Sequence, residues 1–319
     1  MSGPFGGTHW MANQGGIAYL GERAVVAGGV QVGSAVIDDI GYFPIGTLGN
    51  ASDFGELQAN TYSTAAVSSG PSGRAVFVAG WVGAYSDRID YITIATPGNA
   101  SDFGNYSVGT TGPAGCSDGI RGVVAGGGMT GDSHLDIIEY LTIATTGDTI
   151  DFGDLTIDRG GTLGVSNGVR GIFGGASSSA SVNDPTIDYV TIQSTGNAID
   201  FGDLSHNRRS LGGPMHNDVR GLFVGGYGWP EYANVDTIDY ITMATTGDAA
   251  DFGNATTTCS ANFGTSNGTR GVYGGGSGQS SSYSNHIEYV TIASTGDGAD
   301  FGDLEVPRAA VAQSGCSGN

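Results

Sequence analysis

Lysine is missing from this chain of 319 residues, so arginine supplies all 11 basic side chains against 31 acidic ones. The formal net charge is −20 at pH 7. Nucleic acids and anionic membrane surfaces are bound through clusters of basic residues. The composition therefore predicts that neither is a partner, and that an acidic surface keeps a glycine-rich protein soluble.

Long apolar segments are also missing, and no run reaches the length of a membrane span. The start of the chain lacks the basic and apolar segments of a secretory signal, so we expect a protein made in the cytoplasm without a signal peptide. Cysteine is scarce, with only Cys116, Cys259 and Cys316 and no CxxC pair. This odd count favours unpaired thiols, while a disulfide between neighbouring units stays open.

What the chain has in excess is glycine, with 59 residues, and a repeat. The tripeptide Asp-Phe-Gly occurs six times, at intervals of 49, 49, 49, 51 and 49 residues. A period near fifty is typical of propeller-type repeat proteins. Because one chemical site does not need six copies, we interpret the tripeptides as structural corners with Phe in the core. They begin with Asp53-Phe54, Asp102-Phe103, Asp151-Phe152, Asp200-Phe201, Asp251-Phe252 and Asp300-Phe301.

Each unit has the same internal order. An arginine precedes a short apolar run that ends in glycines, as in the segment starting at Arg170, and an alternating Ile-Asp/Glu-Tyr segment follows. Alternating β-branched and aromatic residues predict strands, and the abundant glycine disfavours long helices. With a third strand after the tripeptide and a fourth before the next arginine, the sequence predicts an all-β, six-bladed β-propeller of four-stranded antiparallel blades.

The recurrent arginine favours a blade-to-blade ion pair or hydrogen bond with the acid of the Ile-Asp/Glu-Tyr segment over a ring of anion sites. That acid is present in five of the six units, and Gly41 replaces it in the first.

The last unit carries a family resemblance. Its segment Arg270-Gly-Val-Tyr-Gly-Gly-Gly276, the pair Glu288-Tyr289, Phe301 and Arg308 follow the order of the kelch repeat. Phe replaces the tryptophan that is usual in kelch repeats, and the late arginine recurs only at Arg159, Arg208 and Arg308. The chain thus resembles a divergent kelch-like β-propeller, and its lysine-free, Gly/Thr-rich units are similar to repeats in tailed-bacteriophage virion proteins.

The two ends of the chain differ from the repeat. The segment from Arg308 to Ser314 resembles the fourth strands, so we expect it to complete the first blade and close the ring. A closing strand at residues 17–20 is the alternative. We take residues 22–319 as the propeller and residues 1–21 as an arm, whose Phe5 and Trp10 are candidates for attaching the disc to a larger assembly.

Acidic residues stand three apart around the tripeptides, as at Asp148, Asp151 and Asp154. Weak calcium binding at these turns is one interpretation. We favour Asx-type turns, in which the side chains accept backbone N–H groups, and we expect no metal and no cofactor. A kinase is excluded because its Asp-Phe-Gly motif requires a lysine.

No enzyme is expected either. The five histidines share no metal-ligand spacing and pair with no Ser or Cys in a recognisable nucleophile setting, and no catalytic acid pair departs from the repeat.

The loops between the glycine-ended strand and the Ile-Asp/Glu-Tyr strand vary from unit to unit. Equivalent loops of a propeller emerge on one face of the disc, so we predict a single binding face there. Aromatic residues in such loops suit sugar stacking or protein docking, whereas drift without selection is the alternative. The candidates are Trp81, Tyr85, His134, Tyr227, Trp229, Glu231, Tyr232 and Tyr283, with Tyr227, Trp229 and Tyr232 as the strongest group.

Three functional hypotheses remain at this point. The first is a non-enzymatic virion component of a tailed phage, a tail or capsid appendage that binds other virion proteins or a host-surface glycan or protein. The second is a soluble lectin-like or scaffold module of a bacterium. The third is an enzyme with a site in the central channel. The composition and the similarity of the units to repeats in phage virion proteins favour the first.

Overall fold

The computed structural model describes residues 21–70, 73–129, 133–178, 183–230, 232–278, 283–309 and 315–318. Those residues form 27 β-strands and no helix. The main sheets are six antiparallel blades arranged in a ring, which is a six-bladed β-propeller. The predicted fold class is confirmed. No helix of membrane-spanning length occurs in the described part of the chain.

Every blade runs from a short inner strand at the ring axis to an outer strand at the rim. Blade 1 contains β27 (Gly315–Gly318), β1 (Arg23–Gln31), β2 (Val36–Pro44) and β3 (Ser52–Glu56), with β26 (Arg308–Ala309) beside β1. Blade 2 contains β4 (Ala65–Ser68), β5 (Arg74–Trp81), β6 (Tyr85–Thr93) and β7 (Ser101–Thr110). Blade 3 contains β8 (Ala114–Ser117), β9 (Arg121–Ala125), β10 (Ile137–Thr142) and β11 (Ile150–Asp154).

The other three blades follow the same order. Blade 4 contains β12 (Leu163–Ser166), β13 (Arg170–Ser177), β14 (Asn183–Thr191) and β15 (Ile199–Asp203). Blade 5 contains β17 (Gly212–His216), β18 (Arg220–Val224), β20 (Ala233–Thr242) and β21 (Ala250–Cys259), extended by a ribbon of β16 (Asn207–Arg209) and β19 (Tyr227–Trp229). Blade 6 contains β22 (Phe263–Ser266), β23 (Arg270–Gly274), β24 (His286–Thr291) and β25 (Ala299–Asp303).

The inner strands contact one another around the axis in the order β27, β4, β8, β12, β17 and β22, and β22 in turn contacts β27, which closes the ring. Their backbones lie so close that a Cβ added at Gly164 would stand 2.5 Å from the Gly115 carbonyl oxygen. The crowded strand at the axis is therefore the segment before each arginine. The glycine-ended strand that begins at each arginine is the second strand of the blade.

Serines link the ends of the inner strands. The Ser117 hydroxyl donates to the Ser68 carbonyl at 2.8 Å, and the Ser166 hydroxyl donates to the Ser117 carbonyl at 2.5 Å. In blade 5 the equivalent residue is His216, whose carbonyl accepts from the Ser266 hydroxyl at 2.9 Å. The described part of this axial ring thus contains one histidine among serines.

The C-terminal segment closes the ring, as predicted. β27 pairs with β1 from Arg23 opposite Gly318 to Val26 opposite Gly315, while β26 pairs with the far end of β1. The inner strand is residues 315–318, whereas the expected segment contributes Arg308 and Ala309 beside β1, and residues 310–314 lie outside the described residues. The alternative closing segment, residues 17–20, lies outside the described residues, and the inner position is filled by β27.

The Asp-Phe-Gly tripeptide lies within the outer strand of each blade, and the prediction of a corner is wrong. Phe54 is buried, and its carbonyl accepts a hydrogen bond from the Gly98 N–H of the next blade at 2.7 Å. Gly55 has φ +145°, and a Cβ there would stand 2.5 Å from the Gly98 carbonyl oxygen. The same N–H to Phe carbonyl bond joins Gly49 to Phe301, Gly147 to Phe103, Gly196 to Phe152, Gly247 to Phe201 and Gly296 to Phe252.

These contacts explain the tripeptide. Phenylalanine packs in the core, and glycine allows the next blade to approach closely. The exposed aspartate does neither.

The acids and amides that precede each tripeptide also join blades. Oδ1 of Asp148 accepts from the Asn105 backbone N–H of the preceding blade at 2.9 Å. The expectation that these side chains accept backbone N–H groups is correct, but the partner lies in another blade and not in a local turn. The equivalent acceptors are Asn50, Asn99, Asn197, Asp248 and Asp297.

Each recurrent arginine lies over the tyrosine of its own blade. The Arg170 guanidinium carbon is 4.6 Å from the centroid of the Tyr189 ring, and Nη1 donates to the Met243 carbonyl of the next blade at 3.0 Å. Tyr189 in turn packs edge-on against Phe201. The predicted blade-to-blade hydrogen bond is confirmed, but its acceptor is a backbone carbonyl and not the Asp or Glu that we expected.

Candidate functional site

The acid of each Ile-Asp/Glu-Tyr segment is buried, and its partners differ between blades. In blades 4 and 5 the acid forms an ion pair with an arginine. This arginine lies eight residues after the Asp of the preceding blade's tripeptide. Arg159 Nη2 lies 2.7 Å from Asp188 Oδ2, and Arg208 Nη2 lies 2.7 Å from Asp239 Oδ2. All four side chains are fully buried, and burial lowers the pKa of both arginines against the effect of their acids.

Blades 1 and 2 also contain a buried or half-buried arginine near this position, but its partner or its place in the chain differs. Arg308 donates to backbone carbonyls in blade 1, where Gly41 replaces the acid. In blade 2 the arginine lies on β6 itself, two residues before the acid, and Arg88 Nε lies 2.9 Å from Asp90 Oδ1. Burial raises the pKa of Asp90 even though Arg88 acts in the opposite direction.

Blades 3 and 6 have no arginine at this position, and their acid is a glutamate. Cys259 takes the place of the arginine in blade 6, as Thr110 does in blade 3. Glu288 Oε1 accepts from the Thr256 hydroxyl at 2.6 Å, and Oε2 accepts from the Tyr273 hydroxyl at 2.8 Å. Tyr273 is itself a departure, since the equivalent residues are Val26, Phe77, Val124, Phe173 and Phe223.

A cavity of about 610 Å³ opens between blades 5 and 6. Its described lining consists of Asp236, Thr256, Thr257, Thr258, Gly278, Tyr283, Ser284, Asn285 and His286. A second cavity of about 30 Å³ shares part of this lining and reaches the buried residues Cys259, Asn262, Tyr273 and Glu288. Together they form what we call the blade 5–6 pocket, which is lined by hydroxyl, amide and carboxylate groups, the His286 imidazole and the Cys259 thiol.

Asn262 is the most unusual residue of the pocket. Its side chain is fully buried, and among the described residues neither Oδ1 nor Nδ2 has a hydrogen-bond partner. The amide packs beside Gly212, where a Cβ would stand 2.5 Å from Nδ2. Gly212 begins the inner strand of blade 5, and the equivalent residues are Ala65, Ala114, Leu163 and Phe263. The absence of a side chain at Gly212 makes room for the amide.

A hydrogen-bonded link holds the edge of the pocket. Asn234 of β20 donates from Nδ2 to the carbonyl oxygens of Ser277 and Gly278, at 2.7 and 3.1 Å. The loop of blade 6 is thereby tied to blade 5. Burial raises the pKa of the nearby Cys259 thiol to about 12, so this cysteine lines the pocket as a neutral group.

Three of the predicted loop residues lie in isolated β-bridges, which pair Trp81 with Tyr62, His134 with Gly128 and Tyr283 with Ser277. Trp81 packs edge-on against Tyr85, with ring centroids 4.9 Å apart, and also contacts Tyr62. Partial burial raises the pKa of Tyr62, with smaller contributions from Tyr85 and from Tyr283 of blade 6. Tyr283 also lines the blade 5–6 pocket.

His134 also contacts a neighbouring loop. Its Nε2 lies 2.8 Å from the Ser177 hydroxyl of blade 4, and the ring is half-buried. The pair joins the loops of blades 3 and 4.

The strongest predicted group lies on the ribbon of blade 5. Trp229 and Tyr232 pack edge to face with centroids 4.3 Å apart, and they are 43% and 61% exposed. Tyr227 lies beneath the Arg209 guanidinium, at 5.5 Å. Glu231 lies outside the described residues, as do Phe5 and Trp10 of the predicted arm.

Sequence reasoning missed the blade 5–6 pocket. The available signal was the set of departures from the repeat at Gly212, Cys259, Asn262 and Tyr273, which becomes visible only when the units are aligned on their tripeptides. Among the described residues, no group of three or more His, Cys, Asp and Glu side chains is arranged to hold a metal ion. No protein-family model matches this chain, and no curated protein matches it.

Proposed function

We propose that this chain is a non-enzymatic binding disc. Its kelch-like propeller serves as a structural or adhesin component of a tailed-phage particle, a tail or capsid appendage. Other virion proteins are its partners on one side, and a host-surface protein or glycan is its target. The observation that carries the binding role is the exposed Trp229–Tyr232 pair on the blade 5 ribbon.

The pair has the properties of an anchor for a partner. Large aromatic side chains are enriched at interfaces and at the residues that dominate binding energy. Trp229 belongs to β19, which is hydrogen-bonded on both sides to β16 and β20, and Tyr232 holds its ring in place. A surface that is already ordered loses less conformational freedom when a partner binds.

The rest of the disc supplies a stiff support. Each outer strand is bonded to the next blade through the Phe carbonyl and through an Asx side chain. Loops positioned by a rigid scaffold are a common location of binding residues. The place of this disc on a phage particle is supported by the lysine-free composition and by the repeat style, with residues 1–21 as the attachment arm.

Electron microscopy of the native assembly, compared with the isolated chain, tests the proposal. We expect discs at regular positions on a larger particle, and mass spectrometry of purified particles to detect the chain. Trp229→Ala lowers binding to host cells, while Val169→Ala, an exposed control outside the variable loops, leaves it unchanged. Isolated discs and particles without the chain would contradict the virion role and favour a soluble lectin-like or scaffold module.

A further inference from the structure

We propose that the blade 5–6 pocket binds a neutral saccharide unit. The described lining of this site includes neither Trp229 nor Tyr232, and the inference goes beyond the docking role of the disc. It requires neither a particle nor a protein partner.

The first observation is that several residues that differ from the repeat lie close together at this pocket. Cys259, Asn262 and Tyr273 differ from the equivalent residues of the other described blades, and Gly212 differs on the facing side. The scaffold does not need these residues, since the other blades are built without them. Gly212 and Asn262 belong to different blades and are matched in shape, because a side chain at Gly212 would overlap the amide.

The second step is the unpaired amide of Asn262. A buried polar group without a partner is unfavourable in the folded protein. The inner cavity beside it is large enough for a water molecule or for one hydroxyl group of a ligand. The amide offers both a donor and an acceptor, and a sugar hydroxyl provides the complementary acceptor and donor.

The third step is the chemistry of the wider cavity. Its volume of about 610 Å³ lies within the range of small-molecule sites. The described lining contains no arginine, and it contains the carboxylate of Asp236 with that of Glu288 below, so an anionic ligand is disfavoured. Thr256, Thr257 and Thr258 give the lining polar side chains, and the Tyr283 ring offers a surface on which a sugar can pack.

Glu288 acts as a positioning residue. Its two oxygens already accept from Thr256 and Tyr273, which fixes the orientation of those two hydroxyls at the pocket. Asn234 fixes the opposite edge through the loop of blade 6. The polar groups are thereby ordered before a ligand enters, which favours binding.

Isothermal titration calorimetry of the full chain with methyl glycosides of glucose, galactose, mannose and fucose, and with their common disaccharides, is the test. We expect saturable binding of at least one probe. Asn262→Leu lowers the affinity for that probe by about tenfold or more, because it removes a buried donor and acceptor. Thr162→Leu, the matched change at the equivalent position of blade 4, leaves binding unchanged.

A second readout separates binding from a structural role. Without sugar, Asn262→Leu raises Tm by a few degrees, because the unpaired amide is removed. If Asn262 were needed only for folding, the same change would lower Tm. Thr258→Val, a change of similar shape in the wider cavity, weakens sugar binding with little effect on Tm.

The outcomes distinguish this proposal from the docking proposal. Trp229→Ala retains sugar binding if the pocket is the site, whatever its effect on host-cell binding. A folded wild-type chain that binds no probe, or that binds equally well with Asn262→Leu and Thr258→Val, would overturn the inference and leave the docking proposal standing.

Discussion

Arg208 and Asp239 form an ion pair of 2.7 Å from which water is excluded, since both side chains are fully buried. Arg208 Nη1 also donates to the carbonyl oxygens of Gly225 and Thr237, each at 2.8 Å. The arginine therefore joins the segment entering blade 5 to β20 and to the residue that follows β18. The ion pair is therefore a buried structural element of blade 5 and not a surface ion pair.

Removing the arginine leaves the Asp239 charge buried without its cationic partner. We expect Arg208→Met to lower the free energy of unfolding by about 3–5 kcal/mol. Arg209→Met, a change at the adjacent exposed arginine, lowers it by less than about 0.5 kcal/mol. Denaturant unfolding measures both. A loss for Arg208→Met no larger than that for the control would contradict the assignment, and the double variant Arg208→Met/Asp239→Leu should recover part of the loss.

The period of the tripeptide predicted the number of blades, the alternating residues predicted the strands, and the likeness of the C-terminal segment to the fourth strands predicted ring closure. The period did not reveal where the tripeptide lies, because a glycine inside a strand looks like a turn when its neighbour is unknown. Gly55 is required by the Gly98 backbone, which lies 43 residues further along the chain. Contacts between blades are not encoded in local propensity, so the sequence alone does not show them.

The blade 5–6 pocket was missed for a related reason. The space for Asn262 is created by the missing side chain of Gly212, which belongs to another blade. Cys259 can be recognised as a departure from the repeat only by comparison with Arg208, which occupies the same position in blade 5. By contrast, the exposed Trp229–Tyr232 pair was found from the sequence, since a variable aromatic loop is a local feature.

The Phe and Asp of one tripeptide should differ sharply in their effect on stability. Phe152 is buried against Tyr140, whereas Asp151 is exposed. We expect Phe152→Ala to lower the free energy of unfolding by about 3–5 kcal/mol. Asp151→Ala, at an exposed site, changes it by less than about 0.5 kcal/mol. Chemical denaturation of the two variants checks this contrast, and similar losses would show that the aspartate has a structural role we do not assign.

Removal of residues 315–319 should open the ring. The deletion takes away β27 and leaves the inner edge of β1 without its partner strand. Unpaired strand edges promote association between molecules. We expect a lower Tm and concentration-dependent oligomers in sedimentation velocity. A truncated chain that stays monomeric with the wild-type Tm would mean that ring closure does not depend on this strand.

The histidine of the axial ring should make stability depend on pH. Burial lowers the pKa of His216 from 6.5 to about 4 in the folded chain. As pH falls below about 6.5, the unfolded chain binds a proton at this residue and the folded chain does not, so stability is lost until pH reaches about 4. Across this window the loss amounts to about 3 kcal/mol.

His216→Ser removes this dependence and supplies the residue that the neighbouring blades use at the same position. Between pH 7.5 and 4.5, we expect the variant to lose about 2–3 kcal/mol less unfolding free energy than the wild type. His206→Ser, at an exposed histidine outside the ring, serves as the control and should follow the wild type. Urea unfolding at several pH values gives the comparison, and parallel curves for wild type and His216→Ser would show that the buried imidazole is not the group responsible.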